Sequence, residues 1–228
     1  MDTLSNFFSP SVLLNSEGFC ESPVWADPKP FFKWDPLPIL KEDQTCDVCV
    51  IGLGASGLAA VIKLQQSGLS VVGIDAWDVA ACAAGQNGGF LLAGLDSEYH
   101  ENCERVGRFK TASLYKETVD ELNSIFEEYP NCTKRTGSLR LGYDDENMLE
   151  CFKQYQAIKK DGFPISWYCG PEGEGFHVPI DGVFDPLLRA RTMALKAIKL
   201  GAKLYGHARA IDISSGLVKT EAGNTITC

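Results

Sequence analysis

The chain has 228 residues, 45% of them hydrophobic, enough to bury one large domain or two small ones. A net charge of −9 excludes nucleic acid and an anionic membrane surface as main partners, because no basic face offsets the acid. No apolar run approaches the ~18 residues of a membrane span. The N-terminus shows no basic region followed by an apolar core, so no signal peptide is expected. Nine cysteines, an odd number scattered through apolar segments, fit reduced thiols in the cytoplasm better than a disulfide framework.

Residues 1–45 form an extension of their own. Pro23, Pro28, Pro30, Pro36 and Pro38 punctuate Phe7, Phe8, Trp25, Phe31, Phe32 and Trp34. Such proline density forbids a long helix. The aromatics are too many for a solvated tail, so an irregular segment packed across the main body is expected, with a disordered leader as the alternative.

Cys46 to Asp75 reads as strand, glycine turn, helix, strand. Cys46–Ile51 is a short apolar run suited to a buried strand. Gly52-Leu53-Gly54-Ala55-Ser56-Gly57 is a GxGxxG turn at its end. A helix over Ala55–Gln66 follows, with Gly57, Val61 and Leu64 on one face, and Gly68 stands where a helix-ending glycine belongs. Ser70–Ile74 is a second strand, closed by Asp75 roughly 20 residues beyond the turn.

Each part has a chemical reason to bind a dinucleotide. Gly52 permits the tight turn, Gly54 lets a pyrophosphate approach the backbone, and Gly57 lets helix and strand pack closely. The helix start offers free N–H groups and a positive dipole end to the phosphates. Asp75 would take the hydroxyls of the adenosine ribose. The bland alternative is a structural βαβ unit with an incidental glycine turn. Cys46-Asp47-Val48-Cys49 spells C-x-x-C, but inside a strand residues three apart point to opposite faces, so both are read as core residues.

After Asp75 a loop is expected over Ala76–Gly94, containing Ala83-Ala84-Gly85-Gln86-Asn87-Gly88-Gly89. Its glycines and asparagine would supply positive φ and exposed N–H groups that fold back over the ligand. Arg108–Tyr129 has helical period, with Tyr115, Val119, Leu122, Phe126 and Tyr129 inward and Lys116, Glu117, Asp120, Glu127 and Glu128 in solvent. Ser138–Gly142 reads as a strand, Glu146–Lys160 as a helix, and Asp161–Gly182, with three prolines, as loop-rich. This stretch has the look of an insertion into the nucleotide fold. Asp185-Pro186 starts a helix running to about Leu200, with Leu187, Ala190, Ala194, Leu195 and Ile198 inward. Strands are then expected at Lys203–Tyr205, His207–Ile213, Leu217–Glu221 and Thr225–Cys228.

CDVCVIGLGASGLAA, Asp75 and AAGQNGGFLLAG together resemble the D-amino-acid-oxidase-like family of FAD-dependent oxidoreductases, in the branch of glycine, sarcosine and γ-glutamylputrescine oxidases. GSLRLG and DGVFDPLLRARTMALKAIKLGAKLY are similar to family segments in family order. The branch commonly has arginine where this chain has Gln86.

The resemblance implies an α/β fold: a Rossmann-like FAD-binding domain of glutathione-reductase type, with a β-meander and an inserted part of an α+β substrate domain, truncated. It divides the chain into the extension 1–45, the βαβ unit and second glycine loop 46–95, an inserted partial substrate region 96–182, and a return 183–228. It implies non-covalent FAD held by Gly52, Leu53, Gly54, Ala55, Ser56, Gly57, Asp75, Ala76, Gly85, Gln86, Asn87, Gly88 and Gly89, with the Ala210 backbone near the adenine. The implied reaction is oxidation of a C–N bond of a small amine or amino acid. It assigns no catalytic residue and no metal. The family continues well beyond this length, so the chain reads as an N-terminal part. A non-catalytic FAD-binding remnant and an NAD-dependent dehydrogenase are the alternatives.

Overall fold

The computed structural model describes Trp25 and residues 32–228. The chain divides into two compact units, one made of the chain up to Gly88 together with Pro186–Cys228, the other of Gly89–Asp185. Phe7, Phe8, Pro23, Pro28, Pro30 and Phe31 lie outside the described residues. Residues 32–43 run irregularly against the first unit. Leu37 and Leu40 are buried, and the Trp34 indole N–H donates to Asp78 at 2.7 Å. The other Asp78 oxygen accepts from the Leu37 amide.

β1 (Gln44–Thr45) leads to β2 (Val48–Ile51), α1 (Ala55–Gln66) and β3 (Val71–Ile74). β2 and β3 pair in parallel, Val48 opposite Val71 and Ile51 opposite Ile74, which requires the crossover that α1 provides. α1 turns Leu58, Val61 and Ile62 inward and ends at Gly68, whose φ of +83° a side chain would strain. β3 is buried at every position. β2 is not the buried strand expected: Ile51 is 44% exposed. It lies at the edge of its sheet, with no strand beyond it among the described residues.

The expected loop after Asp75 contains one helical turn, α2 (Ala83–Gln86). The second unit then begins with β4 (Phe90–Leu91), α3 (Tyr99–Val106) and α4 (Arg108–Glu128). α3 gave no signal in the sequence, because eight largely polar residues make too short a period to read. α4 buries Thr111, Tyr115, Leu122 and Ile125. β5 (Thr133–Arg135), β6 (Ser138–Gly142) and α5 (Asp145–Lys160) follow. The Asp144 carboxylate caps α5 by accepting from the Asn147 amide.

Residues 161–182 are mostly strand, not loop. β7 (Ser166–Gly170) and β8 (Gly173–Val178) form a hairpin, and β9 (Gly182–Phe184) closes a separate sheet. Pro164, Pro171 and Pro179 all fall outside the strands, so the prolines bound the strands instead of abolishing them. The strand orders are β4-β9-β5 and β6-β8-β7, both antiparallel.

The chain returns to the first unit through α6 (Pro186–Lys199), which buries Leu187, Leu188, Ala190, Met193, Ala194 and Ala197. Leu195 and Ile198, expected inward, are instead exposed, 44% and 43%. The helix packs on α1, α2 and β10, which sets its buried face one residue around from the face chosen on periodicity. β10 (Lys203–Tyr205) pairs in parallel with β3, leaving β3 central. β11 (Ala210–Ser214), β12 (Leu217–Thr220) and β13 (Thr225–Thr227) form a meander, with β1 added in parallel to β13. β11 begins later than expected because His207 takes a left-handed φ of +49°, which no strand accepts. Leu40, Val72, Ile74, Ala208, Val218 and Ile226 form a core between the parallel sheet and the meander.

Cys46 and Cys49 both pack against that core. The opposite-faces argument fails because Cys46 precedes the strand. Burial, reinforced by Cys46 and Cys228, pushes the Cys49 thiol up to about 12, so the pair behaves as core. Among the described residues no disulfide is formed, no helix is long and apolar enough to cross a membrane, and no cluster of ligating side chains could hold a metal.

Candidate functional site

In the first unit the glycine turn closes on itself through backbone groups. The Gly52 amide donates to the Ile74 carbonyl at 2.8 Å, tying the turn to the end of β3. Gly52 has φ +95°. A Cβ on Gly57 would stand 1.9 Å from the Gly52 carbonyl oxygen, so helix and turn approach at a distance only glycine allows. Gly54 is different. A Cβ there would meet only the Ala84 Cβ, at an ordinary 3.4 Å, so packing does not demand glycine.

Gly54 begins α1, which has no capping side chain and no acid in its first turn. The amides of Gly54, Ala55, Ser56 and Gly57 have no hydrogen-bond partner among the described residues. Four open donors at a positive dipole end, with space for close approach at Gly54, fit a pyrophosphate. The Leu53 amide is not among them. It donates to Asp75 at 2.6 Å, while the Leu53 side chain is wholly buried.

Asp75 accepts at both oxygens, from Leu53 and, at 2.9 Å, from the Trp77 amide. Besides any ribose contact, it therefore braces the phosphate turn from the end of β3. Ala76 is half-buried beside it. The second glycine loop comes to the same place: the Ala80 amide donates to the Leu53 carbonyl, and Ala84 faces Gly54. Gly85 is helical and buried, with the Ala80 carbonyl where a Cβ would go. Gln86 and Asn87 spend their side-chain amides on the loop's own carbonyls, those of Ala81, Ala83 and Ala84. The Trp25 indole donates to the Asn87 carbonyl. Of Gly85, Gly88 and Gly89, only Gly89 takes positive φ, contrary to the expectation of a loop built on φ > 0. Gly88 is exposed. Ala210 opens β11 and packs partly on the core.

The Gly89–Asp185 unit contains a cavity of about 590 Å³ that the sequence did not reveal. Phe90, Tyr99, Tyr115 and Phe176 give it aromatic walls, and Asp181, Ser138 and Arg140 are among its polar groups. Asp181 is 3% exposed. It accepts from the Ala93 amide at 2.8 Å and the Ser138 hydroxyl at 2.6 Å. Burial pushes its carboxyl above the usual range, although these bonds pull the other way. Arg140 is paired with Glu98. Behind the wall, the Tyr99 hydroxyl donates to Asp161 at 2.6 Å, and Arg108 pairs with the same carboxylate. The signal for this site was faint: Tyr115 reads only as a helix face, and Asp181 only as a polar residue before a glycine.

This fold and glycine cradle place the chain among dinucleotide-binding oxidoreductases. More closely, residues 47–228 match the family of FAD-dependent oxidoreductases designated DAO, and the chain belongs to it. Its cofactor is FAD. The chain is 25% identical over 198 residues to the probable oxidoreductase OrdL of Haemophilus influenzae, covering 78% of this chain and 45% of that protein. Glycine oxidase from Geobacillus kaustophilus superposes with a TM-score of 0.64 at 21% identity, over 81% of this chain and 54% of that one. L-proline dehydrogenase from P. horikoshii gives 0.55 at 25% identity, over 84% and 51%. The chain thus spans about half the length of its relatives.

Proposed function

We propose that these residues are the FAD-binding part of an oxidoreductase that oxidises a C–N bond of a small amine or amino acid, giving an imine that water hydrolyses. When bound, FAD would supply the capacity for a two-electron oxidation. The chain's own residues bind and orient it. In this reading Gly54, Ala55, Ser56 and Gly57 present amides to the pyrophosphate, Gly52 and Leu53 shape the turn, and Asp75 with Ala76 meets the ribose. Gly85, Gln86, Asn87, Gly88 and Gly89 form the second loop, and the Ala210 backbone lies at the adenine. FAD is held non-covalently in the cytoplasm, where a chain whose described cysteines form no disulfide is at home.

The observation that carries the reading is the row of amides at Gly54–Gly57 that have no partner among the described residues, next to a carboxylate at the end of β3. The compact Gly89–Asp185 unit supports the division into a nucleotide-binding portion, 46–95 with 183–228, and an inserted region, 96–182. The relatives' names, glycine oxidase and L-proline dehydrogenase, support a C–N bond as the reacting bond. The relatives' twofold greater length favours a second reading for the 228 residues alone: FAD binding without turnover.

The test is reconstitution with FAD, followed by gel filtration and an absorbance spectrum. A retained yellow chromophore in the wild type, lost in Gly54→Val, is expected. A colourless wild-type protein, or a variant that holds FAD equally well, would overturn the site. Steady peroxide production from glycine, sarcosine or a putrescine derivative by the 228 residues would overturn the second reading.

A further inference from the structure

The cavity in the Gly89–Asp185 unit holds two groups that packing alone leaves unexplained. Tyr115 is 3% exposed and lines the cavity, yet its hydroxyl has no hydrogen-bond partner among the described residues. The hydroxyl oxygen is not sealed in the packing, so it is open to a partner in the cavity. Asp181, equally buried, lies close enough to act electrostatically on Tyr115. Each Asp181 oxygen accepts one bond from the protein, and a carboxylate oxygen can accept two.

Three acids line the cavity, Asp96, Glu98 and Asp181, against one base, Arg140. Arg140 is neutralised by Glu98, and Asp96, exposed along the lining, adds a second unpaired acid to Asp181. His177 and Arg135 also act on Asp181 and draw its carboxyl down. Arg135 is itself engaged outside, donating to the Ile180 carbonyl and to Asn123 and lying over the Phe126 ring. Aromatic walls favour a cation further, through the negative faces of their rings. A carboxylate-bearing ligand would meet Asp181 and be repelled.

We propose that this cavity binds an organic ammonium on an apolar body, an amine without a neighbouring carboxylate, with Asp181 and Tyr115 taking the ammonium hydrogens. An ammonium carries three donors, and the free lone pairs of Asp181 and the Tyr115 hydroxyl oxygen supply acceptors for them. The aliphatic body lies along Leu92, Leu139 and Phe176. This deepens the preceding reading and rests on it only in treating the bound amine as a substrate; binding itself requires no flavin.

The experiment is calorimetric titration of the 228-residue protein with n-hexylamine and, as a matched anion, hexanoate, with and without FAD. Saturable hexylamine binding is expected, with hexanoate at least about tenfold weaker. Asp181→Asn keeps an acceptor for Ala93 and a donor for Ser138 while removing the charge, and should weaken hexylamine about tenfold or more. Tyr115→Phe removes only the hydroxyl and should weaken it severalfold with an unchanged melting temperature; it carries the test alone if Asp181→Asn does not fold. No hexylamine binding, equal binding of hexanoate, or an unchanged constant in Tyr115→Phe would overturn the proposal. The FAD spectrum, read on the same samples, separates the two readings. Hexylamine bound by a protein that cannot hold FAD would support the cavity and sink the flavin site.

Discussion

In the parallel-sheet unit the open polar groups are backbone amides, four of them at the start of α1 without a partner among the described residues. In the Gly89–Asp185 unit they are side chains, Asp181, Tyr115 and Ser138, brought together from β6, α4 and the residue before β9. The first site therefore depends on where a Cβ is missing, and the second on which side chain is present. The two should answer to mutation differently.

The largest effect is expected at Gly57. Gly57→Val sets a Cβ against the Gly52 carbonyl, an overlap with backbone that no rotamer relieves. A loss of at least about 3 kcal/mol in denaturant unfolding, with no retained FAD, is expected. Gly54→Ala sharpens the contrast within the same turn. Its Cβ meets only Ala84, so the flavin-free protein should unfold within about 1 kcal/mol of wild type. FAD affinity should nevertheless fall at least roughly tenfold, because the phosphates need that space. Equal stability losses in the two variants would break the distinction between packing glycine and ligand glycine.

Asp75→Ala should act on both counts. Removing the acceptor for the Leu53 and Trp77 amides costs about 1–3 kcal/mol in the absence of flavin, and FAD affinity falls as well. A variant as stable as wild type without FAD would mean that Asp75 does not brace the turn.

A smaller effect, confined to the second unit, is pH dependence. Burial acts to raise the Asp161 carboxyl, but hydrogen bonds from Arg108 and Tyr99 outweigh it and hold it below 3.8. A depressed carboxylate stabilises the fold above its unfolded value, and that contribution is lost as pH falls through the folded one. Asp181 shifts the opposite way, so its contribution is full at low pH and declines as pH rises past 3.8. Unfolding followed from pH 5 to pH 2 should show a loss that Asp161→Asn diminishes and Asp181→Asn does not. An unchanged acid limb in Asp161→Asn would refute the assignment.

What was legible follows the same line. Local sequence determined the βαβ unit, because the strand, the GxGxxG turn, the helix Ala55–Gln66 and the acid at 75 are consecutive and each constrains its neighbour. Ser138–Gly142 and Lys203–Tyr205 were legible for the same reason. Tertiary structure alone decided which face of α6 is buried, since α1 and α2 choose it. It also decided that Asp75 braces the turn, and that Gln86 and Asn87 serve their own loop. Above all it made the cavity. Tyr115 and Asp181 are far apart along the chain and carry no motif, and only the packing of α4 on α3 and β5, with α5 on β6 and β8, gives the two residues a common space. Backbone sites are written in runs of neighbours, whereas side-chain sites are assembled by contacts between distant residues, which a single sequence does not state.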